Sequence, residues 1–339
     1  GLSIHEAASY AIGLKGMGIR EKLLPDERLL ALLPEKTKEK LKNIYGKVSP
    51  FEFKDKLLKL ASLNNNTILD EYYIGEHGLS FYIEDNDKKI LFDLGYSNVL
   101  LENMKKLNIK SEDIDILAIS HGHDDHVGGI KYFANKKLNK NLEIIAHPLT
   151  FNKKIKKVYN LNEKENNFSI KYQCISSPLD INEIENMGSV KLSKNPIKIS
   201  ENIYFMGEIP NVIDFEKRYS MGKINIGGEY IEDFIYEDSA LVYKSDEGLF
   251  IISGCAHSGI CNIIEYAKKI FNEDRIIGII GGTYLIDVDD RTKQTLKYFE
   301  ENNIKNLYLC HCTSFRVKSF IDNVIPLKEV GVGMKIKID

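Results

Sequence analysis

Residues Ser120 to Gly129 read SHGHDDHVGG. Three imidazoles (His121, His123 and His126) and the carboxylate of Asp125 fall within six consecutive positions. The apolar run Ile114 to Ile119 precedes them and reads as a buried strand, and Gly128-Gly129 follow. A strand that ends abruptly in a turn can aim alternate side chains at one point. Imidazole and carboxylate together suit a borderline divalent metal such as zinc, manganese or iron. Four such groups on one turn are costly in polar satisfaction unless something binds them.

A metal held by one turn needs further partners from distant segments. The chain has eight histidines. Outside the turn, three follow predicted strands: His147 after LEIIA, His257 after LFIIS and His311 after NLYLC. A histidine just past a buried strand is placed to face a pocket at the sheet edge. The segment Ser253 to Gly259, SGCAHSG, repeats the order strand, ligand-rich turn, glycine, helix. Gly254 and Gly259 permit a tight turn there. The helix starting at Ile260 is expected to aim its N-terminus at the site and favour a bound anion. Cys255 has two readings, a thiolate ligand or a small apolar residue packed beneath the turn, and the second is preferred.

Working outward, the pattern divides near residue 66. Residues 1–63 carry apolar residues at helical spacing among lysines, punctuated by Pro25, Pro34 and Pro50. This predicts a small helical appendage, residues 1–66, joined through Asn64-Asn65-Asn66 to a main domain of residues 67–339. In the second part, 79–84 and 89–93 flank a hairpin turn and 98–107 is helical. Strands follow at 114–119, 142–146, 203–206, 240–243, 249–252, 275–280 and 306–309. Helices are expected at 260–270, 292–301 and 314–323. Residues 150–200 read as an irregular polar insertion able to cover a site. Hairpin-paired strands followed by strands alternating with helices occur twice, which predicts an α/β fold: two packed sheets with helices outside, an αββα sandwich.

Composition bounds the function. The 339 residues are 43% hydrophobic, which is ordinary for a chain that buries a core. A net charge of -3 supplies no global field for nucleic acid or anionic membrane, so neither is expected as a partner. The expected partner is a small-molecule substrate, with assembly into a homo-oligomer left open. There is no signal-like N-terminal pattern and no apolar run near the length of a membrane span. The five cysteines (Cys174, Cys255, Cys261, Cys310 and Cys312) are odd in number and form no C-x-x-C pair, which points to a reducing, cytoplasmic compartment. The lysines between Lys131 and Lys171, Lys153-Lys154 among them, read as a solvated face, with a basic rim for an anionic substrate as the alternative.

The histidine turn resembles the HxHxDH signature of the metallo-β-lactamase superfamily and is complete. The resemblance implies a four-layer αββα fold and two divalent metal ions, with zinc favoured and manganese or iron as alternatives. It further implies that His121 and His123 serve one metal while Asp125 and His126 serve the other. EHGLSFYIE (76–84), ILFDLG (90–95), IIAHP (144–148), MGEIP (206–210), GCAHSGI (254–260), GGTYL (281–285) and CHCTSF (310–315) narrow it. In that order they are similar to the branch containing the archaeal 7,8-dihydropterin-6-methyl-4-(β-D-ribofuranosyl)aminobenzene 5'-phosphate synthase and its bacterial relatives. The branch implies that His257 and His311 complete the ligands. His147 and Tyr284 would line the pocket and contact substrate. Tyr284 stands where the branch usually has histidine, and Asp124 where it often has tyrosine. The appendage has no counterpart.

The activity so implied is a metal-dependent hydrolase working through an activated water oriented by Asp125, on a phosphorylated or pterin-like small molecule. The alternatives are a dihydropterin-type synthase that releases diphosphate, a non-catalytic metal- or ligand-binding module, and diiron redox chemistry.

Overall fold

The computed structural model describes residues 73–162 and 167–338. The expected helical appendage, residues 1–66, lies outside the described residues. The chain divides into two compact units, Gly1–His77 and Gly78–Asp339, and the following concerns the second.

Two sheets form its centre. The first has the order β1-β2-β3-β4-β7, from β1 (Phe81–Asp85), β2 (Lys88–Phe92), β3 (Ile116–Ala118), β4 (Glu143–Ala146) and β7 (Ser189–Leu192). Only the β1–β2 hairpin is antiparallel, and the remaining neighbours run parallel. The second sheet has the order β15-β14-β13-β12-β9-β8. It comprises β8 (Ile197–Lys198), β9 (Ile203–Phe205), β12 (Ala240–Ser245), β13 (Gly248–Ser253), β14 (Ile276–Gly281) and β15 (Leu307–Leu309).

Period-2 side-chain alternation explains why these sheets pack face to face. Ile90 and Phe92 of β2, Ile116 and Ala118 of β3 and Ile145 of β4 share one core with Phe205, Leu241, Phe250 and Ile252 of the second sheet. The alternate residues Leu91, Leu117 and Ile144 turn outward onto helices α1 (Val99–Lys106) and α3 (Ile130–Phe133) through Met104, Ile130 and Phe133. On the other flank, Val242, Leu249 and Ile251 pack on α5 (Ile260–Phe271) and α6 (Asp290–Glu301) through Ile263, Ile264, Leu296 and Phe299. Val317 and Ile321 of α7 (Phe315–Asp322) join the same core. Three apolar cores between four layers make the expected αββα sandwich. Each fully buried Ile or Phe contributes about 1.5–3 kcal/mol.

The reading of 150–200 as irregular is corrected. It contains a long hairpin, β5 (Lys154–Asn162) and β6 (Asn167–Cys174), a short helix α4 (Ile181–Glu185), and β7, which extends the first sheet. The hairpin joins β10 (Lys223–Ile226) and β11 (Glu229–Glu232) in a third sheet of order β11-β10-β5-β6. Its strands carry mixed lysines and apolar residues, and Ile170, Tyr172, Tyr230 and Ile231 stay exposed. With no face buried in a main core, the alternation that marks a strand is weak.

Parallel strands place their C-terminal ends together, so the loops that follow them meet at one edge. Asp93 follows β2, the histidine turn follows β3, His147 follows β4, His257 follows β13, Tyr284 follows β14 and His311 follows β15. Among the described residues, nine non-glycine residues adopt positive φ. Four are asparagines, which tolerate it. The other five, Asp93, Ile235, Ala256, Tyr284 and His311, all lie on loops at this edge. No helix among the described residues is long and apolar enough to cross a membrane.

Candidate metal centre

Two groups of potential ligands converge at that edge. His121, His123 and His257 form one, all buried, with their ligand atoms within 4.8 Å of one another. Asp125, His126, Cys255 and His311 form the other on the same criterion. The His121 and His126 rings are 4.2 Å apart centre to centre, so the groups adjoin.

The turn owes its shape to close backbone approaches. After β3 the chain passes through Gly122, where a Cβ would lie 2.0 Å from the Thr150 carbonyl oxygen. The one-turn helix α2 (Asp124–Val127) then brings Asp125 and His126 inward. Gly128 and Gly129 pass against the carbonyls of Tyr96 and Leu94, leaving no room for a side chain.

Tautomers are set from behind by Asp93. Its Oδ2 lies 2.7 Å from His126 Nδ1 and also accepts from the Ser120 hydroxyl at 2.7 Å. Its Oδ1 accepts from the Ser120 backbone N–H. With the hydroxyl proton committed to Asp93, Ser120 Oγ is an acceptor for His121 Nδ1 at 2.9 Å. Both rings therefore turn Nε2 into the site. His121 Nε2 meets His123 Nδ1 at 3.1 Å, and His126 Nε2 meets His311 Nε2 at 3.0 Å and Cys255 Sγ at 3.1 Å. One carboxylate thus orients a ring of each group, the usual outer arrangement of metal-bound imidazoles. Asp93 was not singled out in the sequence, although a carboxylate ending the apolar run ILF was the available signal.

Electrostatics divide the groups. Burial, and then the neighbouring imidazoles, push His121 and His257 well below the usual histidine range. Burial likewise lowers His123 to about 4. These three are neutral at pH 7 and available as ligands. Burial alone would lower His126 too, but Asp125 and Asp93 raise it to about 9. Against its own burial, Asp125 is held well below the carboxylate range by His126 and His311. His311 Nε2 lies 3.4 Å from Asp125 Oδ2.

The donor set fits divalent cations. Lone pairs of imidazole, carboxylate and thiol converge at contact distances in two places, and buried His257 Nε2 has no hydrogen-bond partner. Cys255 is both buried and turned toward ligands, with Sγ 3.1–3.2 Å from the Nε2 atoms of His126 and His311. Both sequence readings, thiolate ligand and small residue packed beneath the turn, apply to a buried thiol so placed.

Other expected residues are placed as follows. His147 belongs to neither group. Its Nδ1 accepts from the Leu149 N–H, and its Nε2 pairs with Glu208 at 3.1 Å, which Lys194 also holds at 3.0 Å. The Tyr284 ring packs on His257 at 4.3 Å between centroids, and its backbone N–H donates to Cys312 Sγ. Burial raises the Tyr284 phenol above its usual range, so it stays protonated. Asp124 is half-buried outside both groups. The anion expected at the N-terminus of α5 is replaced by a side chain: Glu216 accepts from the Cys261 and Asn262 N–H groups. Lys154, read as part of a solvated face, is fully buried and ion-paired with Glu237 at 3.0 Å.

A four-layer sandwich with HxHxDH at the strand ends defines a class, and the comparisons agree: residues 73–188 match the family model of the metallo-β-lactamase superfamily. The chain belongs to that superfamily. It is 32% identical to the 7,8-dihydropterin-6-methyl-4-(β-D-ribofuranosyl)-aminobenzene-5'-phosphate synthase of Methanocaldococcus jannaschii, over 77% of this chain and 91% of that protein. A second protein of that organism, MJ0448, is 30% identical over 75% of this chain and 90% of its own length. The crystal structure of Tm1679, a metal-dependent hydrolase of the β-lactamase superfamily, superposes with a TM-score of 0.60 at 26% identity. That match covers 78% of this chain and 92% of Tm1679.

Proposed function

We propose that this chain is a metal-dependent hydrolase of phosphorylated or pterin-like small molecules, built on two cations. The observation that carries the reading is the pair of adjoining donor groups, with Asp93 fixing a ring in each. His121, His123 and His257 would hold one cation, and Asp125, His126, His311 and Cys255 the other, with zinc the natural choice for nitrogen, oxygen and sulfur donors together. When bound, such a pair makes water a nucleophile near neutral pH and polarises the bond under attack.

The protein's own groups do the rest. Asp125 lies beside both His126 and His311 and orients the attacking water through its carboxylate. The Tyr284 hydroxyl, protonated at working pH, donates a hydrogen bond to the substrate or its leaving group. The His147 ring, held by Glu208, is the second candidate proton donor and contacts substrate without binding metal.

A second reading rests on a specific finding, the 32% identity to a synthase across 91% of that protein. In it, the same residues hold a dihydropterin diphosphate whose diphosphate departs as an aminobenzene ribotide phosphate attacks.

Elemental analysis of wild type and His121→Ala, with product analysis on phosphodiesters and on the synthase substrate pair, tests both readings. Bound metal lost in the variant, with water-dependent product, supports the hydrolase. A coupled pterin product supports the synthase. Equal metal in both proteins removes His121 from the site.

A further inference from the structure

Behind the first donor group lies a buried charge cluster that the proposed chemistry does not use. Glu237 and Lys154 are both fully buried and pair at 3.0 Å. Lys154 Nζ also donates to the Leu149 carbonyl at 2.9 Å. It lies 3.0 Å from where a Cβ on Gly122 would stand, so the ammonium rests against the backbone of the histidine turn. The segment following Glu237 is tied to the same turns: the Ser239 N–H donates to the Ser120 carbonyl, and Asp238 accepts from the Ser258 N–H and hydroxyl.

A buried ion pair is a costly way to pin a loop, because desolvation offsets much of its attraction. His123 supplies a different reason for it. Its Nδ1 faces His121 Nε2 and the first donor group, so its other nitrogen, Nε2, must carry the proton when Nδ1 is a ligand. That Nε2 is buried without a hydrogen-bond partner. Both Glu237 carboxylate oxygens and Thr150 Oγ1 are also buried without a hydrogen-bond partner, Oε1 having only the Lys154 ammonium at 3.0 Å as its ion pair. Thr150 abuts Gly122, the residue before His123, and the Glu237 and Lys154 charges both act on the His123 ring. One donor and two acceptors left over in a polar interior are what a single buried water satisfies.

We propose that Glu237 is a positioning residue for His123: through one buried water it accepts the hydrogen bond of His123 Nε2–H and fixes the tautomer that presents Nδ1 to the cation. Lys154, 3.0 Å from that carboxylate, balances its charge. This rests on the two-cation reading above, toward which it assigns an outer residue that contacts neither cation nor substrate.

The experiment is cobalt(II) titration of the metal-free full-length chain, followed by visible absorption and paired with thermal melting. Wild type should bind two equivalents, and binding of none would sink the two-cation reading itself. Glu237→Gln should weaken one equivalent by about 10–100-fold and shift its absorption band, leaving the other within about twofold. Combined with His123→Ala, the same substitution should add no further loss. Unchanged affinity of both equivalents with a lowered melting temperature would overturn the proposal in favour of a purely structural pair. So would a loss that adds in full to that of His123→Ala. If Glu237→Gln fails to fold because Lys154 is left unpaired, Lys154→Met/Glu237→Gln removes both charges and is read the same way.

Discussion

Asp93 Oδ2 and His126 Nδ1 lie 2.7 Å apart, both fully buried, at the meeting point of the two donor groups. Asp93 accepts three hydrogen bonds there, two of them from Ser120, and so orients His126 directly and His121 through the Ser120 hydroxyl.

Asp93→Asn places an amide N–H against groups that all donate. We expect about a 10–100-fold loss of metal affinity affecting both equivalents, because a ring of each group loses its orientation. Cobalt titration checks it. Weakening confined to one equivalent would show that the Ser120 relay to His121 does not operate.

Most of the sandwich was legible because its strands are buried in apolar runs and its helices carry one apolar face. The ILF, ILAI and LFII runs, short and bounded by turn residues, read as interior strands, and the candidate ligands follow their ends. The third sheet was not, with one exception. Ile226 and Glu229 flank Gly227-Gly228, both at positive φ, which is the two-residue hairpin signal between β10 and β11. That signal stood in the sequence and went unread. The outer residues Glu216, Glu237 and Lys154 were illegible for another reason. Single charged residues read as solvated until the fold shows what they face.

Cys255→Ala separates the two readings of that residue. As a ligand, its loss should weaken the second equivalent about tenfold or more with a modest change in melting. As apolar packing, the reverse holds: affinity stays and melting falls slightly. The 3.1–3.2 Å approaches to His126 and His311 favour the first outcome, and a titration alongside a melt distinguishes them.

Gly122→Ala should disrupt the turn itself. The added Cβ meets a backbone carbonyl at 2.0 Å and the Lys154 ammonium, neither at the end of a free side chain. Overpacking of this kind costs about 1–3 kcal/mol or more. Circular-dichroism melting should show a lower midpoint, together with weakened binding at the first donor group. A midpoint equal to wild type would mean that the Thr150 loop gives way freely.

The metal-free chain should be most stable near pH 6.5 and lose stability on both sides. His121, His123 and His257 have folded pKa values below the unfolded value, His123 at about 4. Between about 4 and 6.5 the unfolded state therefore binds more protons, and stability falls as pH falls through that window. His126 is opposite in sign. Raised to about 9 by Asp125 and Asp93, it contributes stability below 6.5 that is lost as pH rises toward 9. Among the histidines, His147 is also lowered, so four act on the acid side against His126 on the alkaline side, and their contribution to the acid limb should be the steeper. Metal reverses the alkaline trend, because a cation needs His126 deprotonated and displaces its proton. Melting temperatures of metal-free and zinc-loaded protein from pH 4 to 9 provide the check. A metal-free midpoint that keeps rising from pH 6.5 to 9 would show that Asp125 and Asp93 together do not hold a second proton on His126.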